Sequence, residues 1–495
     1  MEKFIKVMML DDLINFIKQN YRKILIILVI HLLLNISIGI VNYPYIDDTS
    51  RASTGITGYA DSYYRYGSEV LSWGLQGSRH LTDNGLTNHI VTSLILTLTS
   101  VLIIYVLKKR NSNVGIGEIL ASTIVGINPW VLELLSFRFD TPFMTLSILL
   151  SIIPFYYFEK SIKLFGITSL VSIFIMCNTY QGSSGIYLAL LIILWYLNYV
   201  EDKTKNLLLT VSVGVGSYIV GILFFLLEMK LFPSPNPTFG NTTIAPLAII
   251  IKTAIKNAYL YGLTIFNQSA SVWKFLIALV FLLIIIKIIF SKISLFKKFL
   301  GLILIPTVIV SSYGLYLFLL SSLMLQRPRY AFGFGIVICF LMVSLTRYNN
   351  HSKIRTLTNL VTILTIFYFM NFGLGYASVL ANQKSQFQSD STLLQMEISD
   401  LVSKGKGQKI HLNYMANNSI IFENSTRNYP LLRYLVPDNR STYWPNLFWF
   451  RIATGSTARV GEIGKGVNLD ELQFEKETSN FKIYSKGNEA YFFHK

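Results

Sequence analysis

An all-α polytopic membrane protein ending in a small α/β domain is the fold class predicted by three features of the sequence. Of its 495 residues, 52% are hydrophobic and 14% charged, with a mean hydropathy of +0.49, more apolar surface than a water-soluble domain hides. Apolar runs of about 20 residues, the length that crosses roughly 30 Å of hydrocarbon, recur about eleven times. Past residue 380 the pattern changes to short alternating runs separated by turn signals.

In chain order, residues 1–21 alternate Phe4, Ile5, Met8, Met9, Ile14 and Ile17 with Lys3, Lys6, Asp11, Asp12 and Lys18. This predicts an interfacial helix on the cytoplasmic side, followed by an uncleaved first span. Spans are expected near 22–41, 88–107, 115–133, 142–158, 164–179, 184–200, 207–231, 272–291, 299–323, 330–346 and 355–379, giving a membrane domain over 22–380. With the N-terminus in the cytoplasm, the basic loops Lys108–Arg110, Lys160 with Lys163, Lys203 with Lys205, Lys292 with Lys297 and Lys298, and Arg347 with Lys353 and Arg355 all fall inside. The outer connections are then 42–87, 134–142 and 232–271. The last opens with Pro233, Pro235 and Pro237 and carries an amphipathic stretch, Ile244 to Phe266, expected in the interface.

Residues 381–495 are expected outside as an α/β domain: helix at Thr392–Ser403, strands at 410–414, 420–422, 481–484 and 490–493, and a hairpin turn at Lys486-Gly487-Asn488. The net charge of +17 sits in short loops beside the membrane, which excludes a nucleic-acid partner and points to acidic membrane lipid. Cys177 and Cys339 both lie within expected spans, so no disulfide or metal framework is available. His31 reads as a satisfied core histidine and His89 has no partner at metal-ligand spacing. No nucleotide-binding motif is present, and no internal repeat favours a transporter.

The chemistry-bearing residues gather on the outer side. Tyr45-Ile46-Asp47-Asp48-Thr49-Ser50-Arg51 follows the first span; two adjacent carboxylates at a bilayer surface repel, which suits one of them to act as a general base with Arg51 as partner, the alternative being that the pair caps a short helix and the arginines meet lipid head groups. Arg51, Arg65, Arg79 and His80 are suited to a departing phosphate, and Tyr45, Tyr59, Tyr63, Tyr64, Tyr66 and Trp73 to a sugar. Arg138 and Asp140 flank Phe139 before Pro142. Asp140 is expected to be a helix cap or a second acid, and Glu133 a buried partner for Arg138. Tyr180 and Gln181 end the fifth span, where they offer sugar contacts, and Arg327 and Arg329 offer a head-group phosphate site.

The order of one span, Tyr45-Ile46-Asp47-Asp48-Thr49-Ser50-Arg51-Ala52, Gly58-Tyr59, an aromatic-rich loop, Gly77-Ser78-Arg79-His80-Leu81 and a second span resembles the Gtr-type membrane glucosyltransferases. These are serotype-converting enzymes that decorate bacterial O-antigens and related envelope polysaccharides. Phe137–Met144 and Thr179-Tyr180-Gln181 resemble further segments of that family, and the likeness covers roughly residues 20–380. The resemblance implies a GT-C-like architecture in the bacterial plasma membrane, with a polyprenyl-phosphate sugar as donor and an envelope polysaccharide or glycolipid acceptor on the outer face. It also implies Asp47 or Asp48 as base, Arg51 and Arg79 as donor contacts, Asp140 as a second functional acid, and coupling to a donor-lipid synthase and flippase. The rival readings are a lipid-linked oligosaccharide flippase, which needs ionisable residues at mid-span, and a polysaccharide polymerase.

Overall fold

The computed structural model describes residues 11–108, 114–203, 205–234, 243–346, 352–464 and 466–495. Residues 1–10, Lys109, Arg110, Pro235, Pro237, Arg347 and the side chain of Lys353 lie outside the described part. The chain forms two compact units: residues up to Ile40 together with Thr57–Leu374, and Val41–Ile56 together with Gly375–Lys495.

The first unit is helical. Among the described residues, eight helices are long and apolar enough to cross a membrane: Asp11–Val41, Thr87–Leu107, Ile162–Thr179, Gln181–Val200, Leu207–Leu231, Ser271–Ile289, Pro328–Leu345 and Ile354–Ser403, the last of which continues into the second unit. The remaining expected spans are shorter helices, Ile116–Ile127, Thr141–Tyr157 and Leu295–Ser311. Proline explains two of these differences. Pro129 holds Asn128 extended (φ −65°, ψ 150°) and stops the third span early, and Pro154 tightens the end of the fourth into a 3₁₀ turn.

Edge-to-face indoles fill the centre of this unit, with Trp130 against Phe334 at 5.2 Å and Trp273 against Phe372 at 4.6 Å. Gly185 and Gly333 allow backbone to approach Ser312 where a Cβ would collide. Buried polar groups are matched locally: His31 contacts the Thr97 hydroxyl at 3.3 Å and the Thr123 carbonyl at 3.2 Å, as expected of a core histidine. Cys177 and Cys339 are buried free thiols. Leu208, Leu223, Leu227, Phe275 and Phe299 are exposed along helix faces, as lipid contact requires.

The second unit contains a five-stranded sheet in the order β2-β1-β5-β4-β3, built from β1 Lys409–Leu412, β2 Arg459–Glu462, β3 Gln473–Glu477, β4 Phe481–Lys486 and β5 Glu489–His494. β1 runs parallel to β2 and β5, and β3-β4-β5 is an antiparallel meander. Gly487, at φ 59°, makes the expected hairpin turn. The Ile420–Phe422 run is a correction, because it opens the helix Ile420–Asn428. Ser419 caps that helix by accepting the Phe422 N–H at 3.1 Å, and Ile420 is 84% exposed where a buried strand would hide it.

Candidate functional site

Within the second unit, the acid pair opens the helix Asp47–Thr54. Ile46 precedes it at φ 47°, a left-handed backbone that a β-branched residue adopts only when its surroundings impose it. Those surroundings are aromatic. Tyr45, fully buried, donates its hydroxyl to the Leu435 carbonyl at 2.5 Å, and Tyr43 packs edge-on to Trp449 at 5.2 Å. Lys384 donates to the Val41 and Asn42 carbonyls at 3.0 Å each. Asp48 is 2% exposed and Arg51 4%, and Arg51 reaches Asp47 at 3.8 Å one helical turn away. Neither acid occupies the N-cap, which is Ile46.

In the first unit, Asp140 sits at the N-cap of Thr141–Ile152, 2% exposed, yet its carboxylate makes no capping bond. Arg138 beside it donates to Asp83 at 2.7 Å and to the Gly39 carbonyl at 3.2 Å, while Asn88 fixes the Arg138 carbonyl at 2.9 Å. The pairing expected for Glu133 is corrected. Glu133, fully buried, accepts the Arg329 backbone N–H at 2.9 Å and lies 3.9 Å from its guanidinium.

Loop 57–86 folds around Glu69, a carboxylate outside the acids expected to carry chemistry. Glu69 accepts the Tyr59 and Ala60 amides at 3.1 and 3.2 Å, the Trp73 indole N–H at 3.1 Å and the Thr57 hydroxyl. Trp73 is thereby fixed, and Arg79 lies over its ring at 4.7 Å. Arg79 and His80 are exposed. Tyr59 is fully buried against Phe143, with ring centroids 5.8 Å apart, whereas Tyr64 (φ 54°) is half-buried at a helix end. The loop docks where Ser68 donates to the Thr179 carbonyl at 3.0 Å and Gln181 to the Tyr63 carbonyl at 3.3 Å.

Arg65 closes this arrangement, its guanidinium 4.9 Å from the rings of both Tyr63 and Tyr180. Arg329 lies 5.0 Å from Phe137 and 5.5 Å from Tyr330. Burial pushes the Tyr180 hydroxyl up, partly offset by the Arg329 and Arg65 charges. Arg327 is half-buried one position before Pro328. The first unit thus brings together Arg65, Tyr180, Gln181, Arg329 and Glu133, and separately Trp73 with Arg79 and Arg138 with Asp83.

Comparison with known families decides the class. A model of the glucosyl transferase GtrII family matches residues 36–344, more than half of the chain. The chain belongs to the GtrII glucosyl transferase family. No curated protein and no solved structure matches it. The matched stretch of this GtrII member contains Tyr45, the Asp47-Asp48 pair, Arg138, Asp140, Tyr180, Gln181 and Arg329, and it ends before the sheet of the second unit. The signal that could have revealed Glu69 is its place four residues before Trp73 on one helix, which acquires meaning only once the loop turns back on it.

Proposed function

We propose that this GtrII member transfers glucose from a polyprenyl-phosphate donor to a cell-envelope polysaccharide or glycolipid on the outer face of the plasma membrane. The acceptor oxygen attacks the anomeric carbon, the bond from that carbon to the phosphate oxygen breaks, and polyprenyl phosphate departs. The acceptor proton passes to an aspartate, and a single direct displacement inverts the anomeric centre. The reading rests on one observation: Asp48 and Asp140, each 2% exposed, stand at the starts of two helices within the stretch that matches the glucosyl transferase family. Buried carboxylates beside a membrane are costly unless they serve a purpose. Tyr64, Trp73 and Gln181, which retain exposed surface, are assigned to the sugar, and Arg51, Arg79, His80, Arg138 and Arg327 to charge on donor or acceptor. Tyr45 and Tyr59 are left out of sugar contact because both are fully buried.

The experiment is transfer of labelled glucose from polyprenyl-phosphate glucose by membranes carrying the full chain, beside Asp47→Asn, Asp48→Asn and Asp140→Asn. Loss in at least one variant is expected, with the β-linked product if the donor is α, or the reverse. Full activity in all three removes the aspartates from the reaction, and retention of configuration removes the direct displacement.

A further inference from the structure

The first unit gathers a buried arginine, Arg65, and a part-buried one, Arg329, beside a single carboxylate. Arg65 is 9% exposed, and its Nε has no hydrogen-bond partner among the described residues; Arg329 Nε lacks one as well. The Tyr180 hydroxyl, on a side chain 2% exposed, is also without a partner. Arg329, Tyr330, Arg65 and Glu133 all lie near enough to act electrostatically on that hydroxyl, and Glu133 is the one carboxylate in the group. Tyr316 stands edge-on to Tyr330 at 5.0 Å, and a side chain at Gly182 would strike both the Tyr180 ring and the Tyr316 hydroxyl. Position 182 is therefore kept bare beside the same group.

Two guanidiniums stand against one carboxylate: Arg329 faces Glu133 with 20% of its side chain exposed, which leaves Arg65 as the buried cation, costly by several kcal/mol unless it is paired. The polar atoms left over among the described residues are two guanidinium Nε groups and a phenol, three donors, against one acceptor, Glu133 Oε1. The complement of the donors is an anion with several oxygens, and a guanidinium fork matches phosphate in shape as well as charge.

We propose that Arg65, Arg329 and the Tyr180 hydroxyl form a binding site for the phosphate of a polyprenyl phosphate lipid. This rests on the donor assigned under the proposed function and adds the group that holds it. Arg65 comes from the loop after the first apolar helix and Arg329 from a segment some 260 residues later in the chain, so the site exists only when that loop is docked through Ser68 and Gln181.

The test titrates the full-length protein, in nanodiscs of zwitterionic lipid, with a polyprenyl monophosphate bearing no sugar. Phosphatidylglycerol and inorganic phosphate serve as separate competitors. Arg65→Gln and Arg329→Gln are each expected to weaken binding roughly 10- to 100-fold, and Tyr180→Phe roughly 3- to 10-fold. Arg65→Lys, which keeps the charge and loses the fork, should remain weakened by more than about threefold. If the glutamine variants do not fold, Tyr180→Phe and Arg65→Lys carry the decision. Affinity unchanged within about twofold in every folded variant, or phosphatidylglycerol competing as well as polyprenyl phosphate, overturns the site. Arg65-dependent binding without glucose transfer would leave the site standing and remove the transferase reading. Transfer whose donor KM is indifferent to Arg65→Gln would remove the site and leave that reading.

Discussion

At the scale of single residues, the acids divide by what their oxygens do. Glu69 accepts two backbone amides and Glu133 one, through Oε2, so each holds structure, whereas the Asp140 carboxylate takes none of the amides of the helix it begins. Asp140→Asn keeps the shape, removes charge and basicity and turns one acceptor oxygen into an NH₂ donor; it should lower the transfer rate by roughly 10²–10⁴-fold, with a thermal midpoint that falls far less than the rate. A large fall in stability with little change in rate would make Asp140 a structural acid. The acids at 47, 48 and 140 were legible in the sequence because charge beside an apolar run is costly. Glu69 was not, because its three-residue neighbourhood looks like an ordinary exposed helix face.

His494, at the end of β5, is buried against Phe481 and Tyr414, with centroids at 4.6 and 4.3 Å. Burial holds its pKa down, from the usual 6.5 to about 4. The unfolded chain therefore binds the proton first as pH falls. The contribution to stability is complete above pH 6.5 and is lost on descent toward pH 4, worth at most about 3 kcal/mol. Hydrogen exchange of the β4-β5 amides in the full chain should accelerate across that window, and His494→Phe should flatten the dependence. An equally steep profile in the variant would assign the effect to another group.

Among the elements, the apolar helices and the β4-β5 hairpin could be read directly, and the failures have a common cause. β2 and β3 were missed, and they are the two edges of the sheet. Edge strands are short, charged and paired on one side, so Arg459–Glu462 and Gln473–Glu477 lack the alternation that marks a buried strand. Ile420–Phe422 showed the opposite error, an apolar triplet whose preceding serine starts a helix. In sequence, loop 57–76 offers aromatic and basic groups, yet its fold depends on one glutamate. Glu69→Gln presents an NH₂ to donors that need an acceptor, and should destabilise the loop by about 1–3 kcal/mol. Faster exchange at Tyr59 and Ala60, with the Thr87–Leu107 helix unchanged, is the expected signature; unchanged exchange at both amides would deny Glu69 this role.

For the whole molecule, the sequence drew a boundary near residue 380, whereas the second unit takes Val41–Ile56, and with it the acid pair, alongside the C-terminal residues. Local composition cannot reveal such a long-range partnership: Tyr45 and Leu435 are almost four hundred residues apart, and nothing near either announces the other. Tyr45→Phe removes that bond and should cost about 1 kcal/mol. If the second unit positions the acid pair, the same variant will lower kcat more than it raises the KM for donor; a pure KM effect would separate the two.

Sidedness is the property on which the proposed reaction depends, and charge and parity predict it. The eleven crossings expected from a cytoplasmic start would place segment 76–86 and the β4-β5 turn outside and the Lys292 loop inside. Thr82, Lys292 and Lys486 are all exposed, and both native cysteines are buried, so single substitutions Thr82→Cys, Lys292→Cys and Lys486→Cys in the native chain report cleanly. A membrane-impermeant thiol reagent applied to intact cells should label positions 82 and 486 and should reach 292 only after lysis. Labelling of 292 from outside, or of 82 only after lysis, would turn the buried acids and arginines toward the cytoplasm, where an acceptor on the outer surface cannot meet them.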